Sequence, residues 1–201
     1  MGQTSTPDHD NSVQNLRSRL REKRAGLTGE LRSSFDRAIC RHIQDIVTDI
    51  NARSIACYWP FNGEPDLIPL CRTLLSEGCE IALPVISRHE PGIMTFCAWR
   101  QDTQLIKNRY GIFEPPGHHS LGLDHFDMLI MPLVAYDHTG NRLGMGAGYY
   151  DRHLEQFKHL PSPLRVGAAY SLQEIDPIDK NDWDIPLHGI VNERGWFTFV
   201  E

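Results

Sequence analysis

Residues 128–152 read MLIMPLVAYDHTGNRLGMGAGYYDR, and the fold turns on how this stretch is read. Met128 to Ala135 is an apolar run that suits a buried strand and is short for a helix. Gly144, Gly146 and Gly148 alternate with Met145 and Ala147, so three positions lack a Cβ and admit positive φ or close approach of a ligand. Tyr149 to Lys158 (YYDRHLEQFK) contains good helix formers and no breaker, which predicts a helix whose first turn offers unpaired N–H groups and a positive dipole end. Strand, glycine loop and helix in that order are the physics of a phosphate cradle. The named motifs are absent. A Walker A loop needs Lys and then Ser or Thr after its last glycine, where Tyr149 and Tyr150 stand. A dinucleotide fingerprint counted from Gly144 places its third glycine at Tyr149. Arg142 and Arg152 bracket the loop with fixed charge suited to bidentate phosphate contacts. On spacing alone the stretch also reads as a glycine-rich turn with a solvated arginine at each end.

Working outward, 201 residues with 40% hydrophobic and 23% charged content suit one ordinary globular core. A net charge of −6 argues against general affinity for nucleic acid or anionic membrane, while leaving room for a local basic patch. Cysteines at 40, 57, 71, 79 and 97 form no C-x-x-C pair or compact His/Cys cluster, which points to a reducing compartment. The N-terminal MGQTSTPDHDNS has no apolar core of a signal peptide, and no apolar run approaches membrane-spanning length. Gly2 with Ser5 or Thr6 comes near a myristoylation pattern without a second membrane signal. A cytoplasmic protein is expected, with residues 1–11 a disordered tail and 12–201 one domain.

From Ser12, Val13, Leu16, Leu20 and Leu27 share a helical face, with Arg17, Arg19, Arg21, Lys23 and Arg24 around the rest. Most of these cations are expected to face solvent, with one or two reaching an anion in the glycine loop. A second helix carries Leu31, Phe35, Ile39, Ile43, Ile46 and Ile50 as its apolar stripe. Ser54 to Pro60 (SIACYWP) reads as a buried strand ending in the turn Phe61 to Asp66. Ligands of open α/β sheets collect at carboxyl ends of strands, so Glu64 is a site candidate by position and equally an exposed loop carboxylate. Asp66 suits an N-cap for a helix Leu67 to Ser76. Glu80 to Ile86 and Ile93 to Trp99 are strands joined by the turn SRHEPG, hence antiparallel. Lys107 to Pro116 (KNRYGIFEPP) predicts an ordered loop in which Tyr110 stacks on a planar ring or packs as rim. His118 and His119 read as surface residues. Leu164 to Tyr170 is a further strand, Ser171 to Ile178 a loop or short helix, and 182–186 an acidic loop in which Asp184 meets magnesium or caps a turn. Val191 and Trp196 to Val200 close the chain as a small edge strand. The order gives an open three-layer α/β domain.

The chain resembles the 5-formyltetrahydrofolate cyclo-ligases, from about Leu16 to Trp196. GNRLGMGAGYYDR after DMLIMPLVAYD carries the likeness, with YWPFNGEPD, LPVI, NRYGIFEP and DWDIP around it in the family's order. The resemblance implies a single Rossmann-like domain and an ATP-dependent closure of 5-formyltetrahydrofolate to 5,10-methenyltetrahydrofolate with Mg2+. It assigns ATP to Arg17, Arg142, Leu143, Gly144, Met145, Gly146, Ala147, Gly148, Tyr149 and Tyr150. It assigns the folate to Trp59, Glu64, Tyr110 and Met145 to Tyr149, magnesium to Asp151 and Asp184, and catalysis to Arg142 and Tyr150. One departure is Val13, where the family often has Lys; either Arg19 or Arg21 replaces that charge, or one cation fewer meets the nucleotide. A monomer is expected, with no nucleic-acid or membrane partner. The alternatives are a ligase or kinase on another small anion, and a non-catalytic nucleotide- or RNA-binding module using the basic helix.

Overall fold

The computed structural model describes residues 7–117, 119–155, 163–178 and 184–199. In chain order the helices and strands are α1 (Pro7–Ala25), α2 (Gly29–Asp49), β1 (Ser54–Ala56), α3 (Ile68–Ser76), β2 (Glu80–Ile86), β3 (Met94–Trp99), β4 (Ile106–Lys107) and β5 (Phe113–Glu114). Then follow β6 (Ser120–Leu121), β7 (Met128–Pro132), β8 (Ala135–Tyr136), β9 (Arg142–Leu143), α4 (Tyr149–Glu155), β10 (Leu164–Ala168), β11 (Gly189–Asn192) and β12 (Gly195–Thr198).

The main sheet runs β12-β11-β10-β7-β1-β2-β3-β6. Strands β11, β10, β7, β1 and β2 are mutually parallel, and β12 and β3 are antiparallel to their neighbours. Parallel strands are covered on both faces, which is why β7 is apolar at successive positions. Met128 and Ile130 pack with Ile39, Ile43 and Leu74 of α2 and α3, while Leu129 and Met131 pack on the other face with Leu154 of α4 and Leu187. The expected three-layer α/β architecture is therefore present. From β1 the chain moves through β2 to one side and returns to β7 on the other, so the topological switch lies between β1 and β7. Ligands of such sheets bind at that crevice.

Several boundaries differ from the sequence reading. The apolar run 128–135 is two strands: β7 ends at Pro132, which has no N–H to continue the ladder. Two residues later β8 pairs antiparallel with β9, so the glycine loop leaves a hairpin and not the central strand. β1 is three residues long, with Cys57 donating once more to the Ala82 carbonyl before the chain leaves the sheet. α1 begins at Pro7, inside the stretch expected as tail; proline fits the first helical position because that N–H has no intrahelical acceptor. In α2, Leu31 is exposed and Val47 takes a place in the buried stripe, while Ile50 is exposed just past the helix end. α3 starts at Ile68 with Leu67 as its N-cap, one residue later than expected, and Asp66 before the cap accepts the Ile68 N–H at 3.0 Å. The expected helix 149–158 is described to Glu155 only; its remainder, with His118, Asp182 and Trp183, lies outside the described residues.

Candidate active site

A cavity of about 310 Å³ opens at the carboxyl ends of β1, β2 and β7, lined there by Tyr58, Trp59, Pro84, Ile86 and Pro132. Its outer wall is the β4–β5 hairpin, with Asn108, Tyr110 and Ile112, and its far wall is the glycine loop with the start of α4. The hairpin is fastened to the sheet by Glu114, which is buried and whose Oε2 accepts from Ile86 N at 3.1 Å and Asn108 Nδ2 at 3.0 Å. Asn108 Oδ1 in turn accepts from the N–H groups of Tyr110 and Ile112, folding the loop.

On the sheet side, Trp59 packs edge-on to Trp99 at 6.0 Å and to Phe113 at 5.4 Å, so its ring is held from two sides while it lines the cavity. Glu64 sits in the turn made by Asn62 and Gly63, both at positive φ (47° and 78°). Its carboxylate is buried against the cavity, with Oε2 accepting from Phe61 N at 3.0 Å. Burial pushes the Glu64 carboxyl up to about 7, against the opposing pull of the Arg24 cation and the Phe61 N–H. Tyr110 is exposed at the mouth, its hydroxyl 3.2 Å from that of Tyr149 across the opening.

The glycine loop is braced from outside. Arg17 of α1 donates Nε–H to the Gly144 carbonyl at 3.0 Å, and its guanidinium lies against Gly146. Gly146 and Gly148 have φ of 95° and 64°, conformations that side chains rarely adopt. Arg152 donates to the carbonyls of Ala147 and Gly92, fixing the loop to the β2–β3 turn. Arg142 donates to Asp151 Oδ1 and to the Ile185 carbonyl, and both Arg142 and Asp151 line the cavity. Tyr150 lines it too, and burial holds its hydroxyl well above the usual phenol range and so neutral.

The structure thus brings Trp59, Glu64, Tyr110, Arg142, Gly144, Met145, Ala147, Gly148, Tyr149, Tyr150 and Asp151 to one cavity. Leu143 is placed elsewhere: its side chain packs with Leu20, Val134 and Ala135 beneath α1. Arg17 and Gly146 meet on the α1 side of the loop, and Asp184 adjoins Ile185, whose carbonyl Arg142 takes. Among the described residues no group of three or more His, Cys, Asp or Glu is placed to hold a metal by itself. Two residues that organise the site went unread in the sequence. Arg24, one of five cations of which most were expected to face solvent, is buried with its guanidinium on backbone carbonyls. Asp137 is fully buried and closes the β8–β9 turn, its two oxygens accepting from Thr139, Asn141 and Ile178. Its signal was the DHTGN string, an Asx-type turn.

The model of the 5-formyltetrahydrofolate cyclo-ligase family matches residues 9–193. The chain belongs to the 5-formyltetrahydrofolate cyclo-ligase family. It is 33% identical over 180 residues to the 5-formyltetrahydrofolate cyclo-ligase of Haemophilus influenzae, covering 89% of this chain and 96% of that one. Among solved structures it is similar to the NMR structure of Aquifex aeolicus 5,10-methenyltetrahydrofolate synthetase, with TM-score 0.80, 30% identity, and coverage of 94% and 93%. It also shares the fold of the Mycoplasma pneumoniae 5,10-methenyltetrahydrofolate synthetase, with TM-score 0.73, 23% identity, and coverage of 90% and 98%. In this cyclo-ligase family member the glycine loop and Glu64 line the same cavity.

Proposed function

We propose that this chain is a 5-formyltetrahydrofolate cyclo-ligase that couples ATP cleavage to closure of 5,10-methenyltetrahydrofolate, releasing ADP and phosphate. The observation that carries this reading is the joining of a flat aromatic and acidic pocket (Trp59, Glu64, Tyr110) to the glycine loop in one cavity. A pterin presents a planar ring and N–H donors. Trp59 and Tyr110 would sandwich or flank the ring, and the Glu64 carboxylate would accept from the donors. The triphosphate would lie along Gly144 to Tyr150, with Arg17 behind the loop and Arg142 at its base.

The formyl oxygen is a poor leaving group. It attacks the γ-phosphorus, the bond to the β-phosphate oxygen breaks, and ADP departs. The neighbouring amine nitrogen then attacks the formyl carbon and loses its proton, and the C–O bond breaks to release phosphate. Phosphoryl transfer asks for positioning and charge stabilisation, which loop N–H groups and Arg142 supply. Tyr150, partly buried and neutral, would donate one hydrogen bond beside them.

Mg2+ binds hard oxygen ligands and commonly takes one or two carboxylates plus substrate phosphates. Asp151 lines the cavity with Oδ1 accepting from Arg142, which also takes the carbonyl of Ile185, the residue after Asp184; two carboxylates are the donor type that ion takes. Asp151 and Asp184 would hold it, and it would supply screening of phosphate charge. We further infer a cytoplasmic monomer acting on small molecules; among the described residues no helix is long and apolar enough to cross a membrane. A kinase or ligase on another anion gains no support from the cavity, and the RNA-binding alternative loses Arg17 and Arg24, both turned inward. The test is the absorbance of methenyl product from 5-formyltetrahydrofolate, ATP and Mg2+. Product that forms equally without ATP contradicts the reading.

A further inference from the structure

The first helix reaches the cavity through two arginines seven residues apart. That spacing is about two turns of an α-helix and keeps both on one face. Arg17 takes the Gly144 carbonyl on the loop side. Arg24 is 1% exposed, and its N–H groups are divided between two distant segments. Nε and Nη2 donate to the Asn62 carbonyl at 3.1 and 2.9 Å, and Nη1 donates to the Leu133 carbonyl at 3.0 Å.

Asn62 opens the positive-φ turn that ends in Glu64, and Leu133 is the first residue beyond β7. The same Leu133 carbonyl accepts from Gln173 Nε2 at 2.8 Å, and Arg32 of α2 takes the Glu64 carbonyl at 3.0 Å. A buried guanidinium has no water to replace a lost acceptor, so its geometry is enforced by the cost of leaving an N–H unmade. The three bonds therefore set the distance between the Glu64 turn and the end of the central strand.

We propose that Arg24 is a positioning residue for the cyclo-ligase reaction: it clamps the Asn62–Glu64 turn to the end of β7 and so fixes the Glu64 carboxylate at the cavity wall. α1 then braces the nucleotide loop through Arg17 and the folate pocket through Arg24. This rests on the reading of Glu64 as the acceptor for the pterin. The Arg24 charge also acts on Glu64 directly. Glu64 is faced by Arg24 from α1, by Tyr58 after β1 and by Tyr150 from α4, with Arg32 of α2 beside Arg24; Arg24 is the cation that opposes the effect of burial on the carboxyl. Without it the ionised, accepting form of Glu64 recedes to higher pH.

The experiment compares Arg24→Lys and Arg24→Met, each alone and combined with Glu64→Gln. Dissociation constants for 5-formyltetrahydrofolate and for ATP come from calorimetry, the pH profile from kcat/KM for the folate, and folding from thermal melts. Arg24→Met is expected to weaken folate binding by roughly 10-fold or more. ATP affinity should stay within about 3-fold, as for a site that does not share the contact. The acid limb of the pH profile should move upward, and Arg24→Lys should recover part of the affinity because one ammonium reaches one of the two carbonyls. In the Glu64→Gln background the further loss from Arg24→Met should be under about 3-fold, because the two residues act as a unit. Equal loss of folate and ATP affinity, full additivity with Glu64→Gln, or a Lys variant without a cooperative melt would each overturn the proposal and leave Arg24 a residue of stability alone. Unchanged folate affinity in Glu64→Gln by itself removes the pterin reading, a failure visible before Arg24 is altered.

Discussion

Arg142 has five N–H donors, and two are committed to Asp151 and the Ile185 carbonyl before any ligand arrives. The residue also lines the cavity, where the proposed reaction would develop charge on the transferring phosphoryl group. Arg142→Ala is therefore expected to lower turnover by roughly 100-fold or more, the scale for one lost charge-stabilising donor. Initial rates at saturating substrates check this, and unchanged rates in a folded variant take Arg142 out of the chemistry. Glu64 gives a second test through pH. Its carboxyl rises from 4.5 in the free group to about 7 in the fold, so between those values the folded state holds a proton that the unfolded chain has released. Stability from this residue is thus fully present below about 4.5 and is lost as pH rises through about 7. The melting temperature of Glu64→Gln relative to the parent should climb between pH 5 and pH 8; a difference independent of pH contradicts the burial account. Glu64 and the glycines were legible because strand-end turns and missing Cβ atoms are local signals. Arg24 was not, because its acceptors lie 38 and 109 residues away, and a basic helix face gives no sign of which cation turns inward.

At the scale of elements, the glycine loop depends on the β8–β9 hairpin that launches it. Asp137 locks that hairpin: burial raises its carboxyl, and the hydrogen bonds from Ile178, Thr139 and Asn141 reverse the effect and leave it below the usual range. Asp137→Ala strips the acceptor from several part-buried donors at once and should cost about 1–3 kcal/mol in chemical denaturation. ATP affinity should fall with it, and a loss under about 0.5 kcal/mol, the scale of a neutral surface change, would show the lock to be dispensable. The hairpin escaped the sequence reading because MLIMPLVA is apolar throughout. Periodicity sees one strand there, while Pro132 and the carbonyls taken by Arg24 and Gln173 divide it.

Across the whole molecule, the alternation of strands and helices gave the layer architecture from sequence, whereas strand order did not follow from it. Order is set by which faces meet in three dimensions, and the switch between β1 and β7 is what places the Trp59 and Glu64 turn beside the glycine loop. In the proposed reaction both ligands would share that cavity, and the chain would supply position and charge without forming a bond to the substrate. A crystal structure with a non-hydrolysable ATP analogue, Mg2+ and 5-formyltetrahydrofolate tests this most directly. The account predicts the triphosphate along Gly144 to Tyr150, the pterin on Glu64, and the formyl oxygen about 3–3.5 Å from the γ-phosphorus. A triphosphate bound away from that loop, or a folate bound outside the cavity, would contradict it.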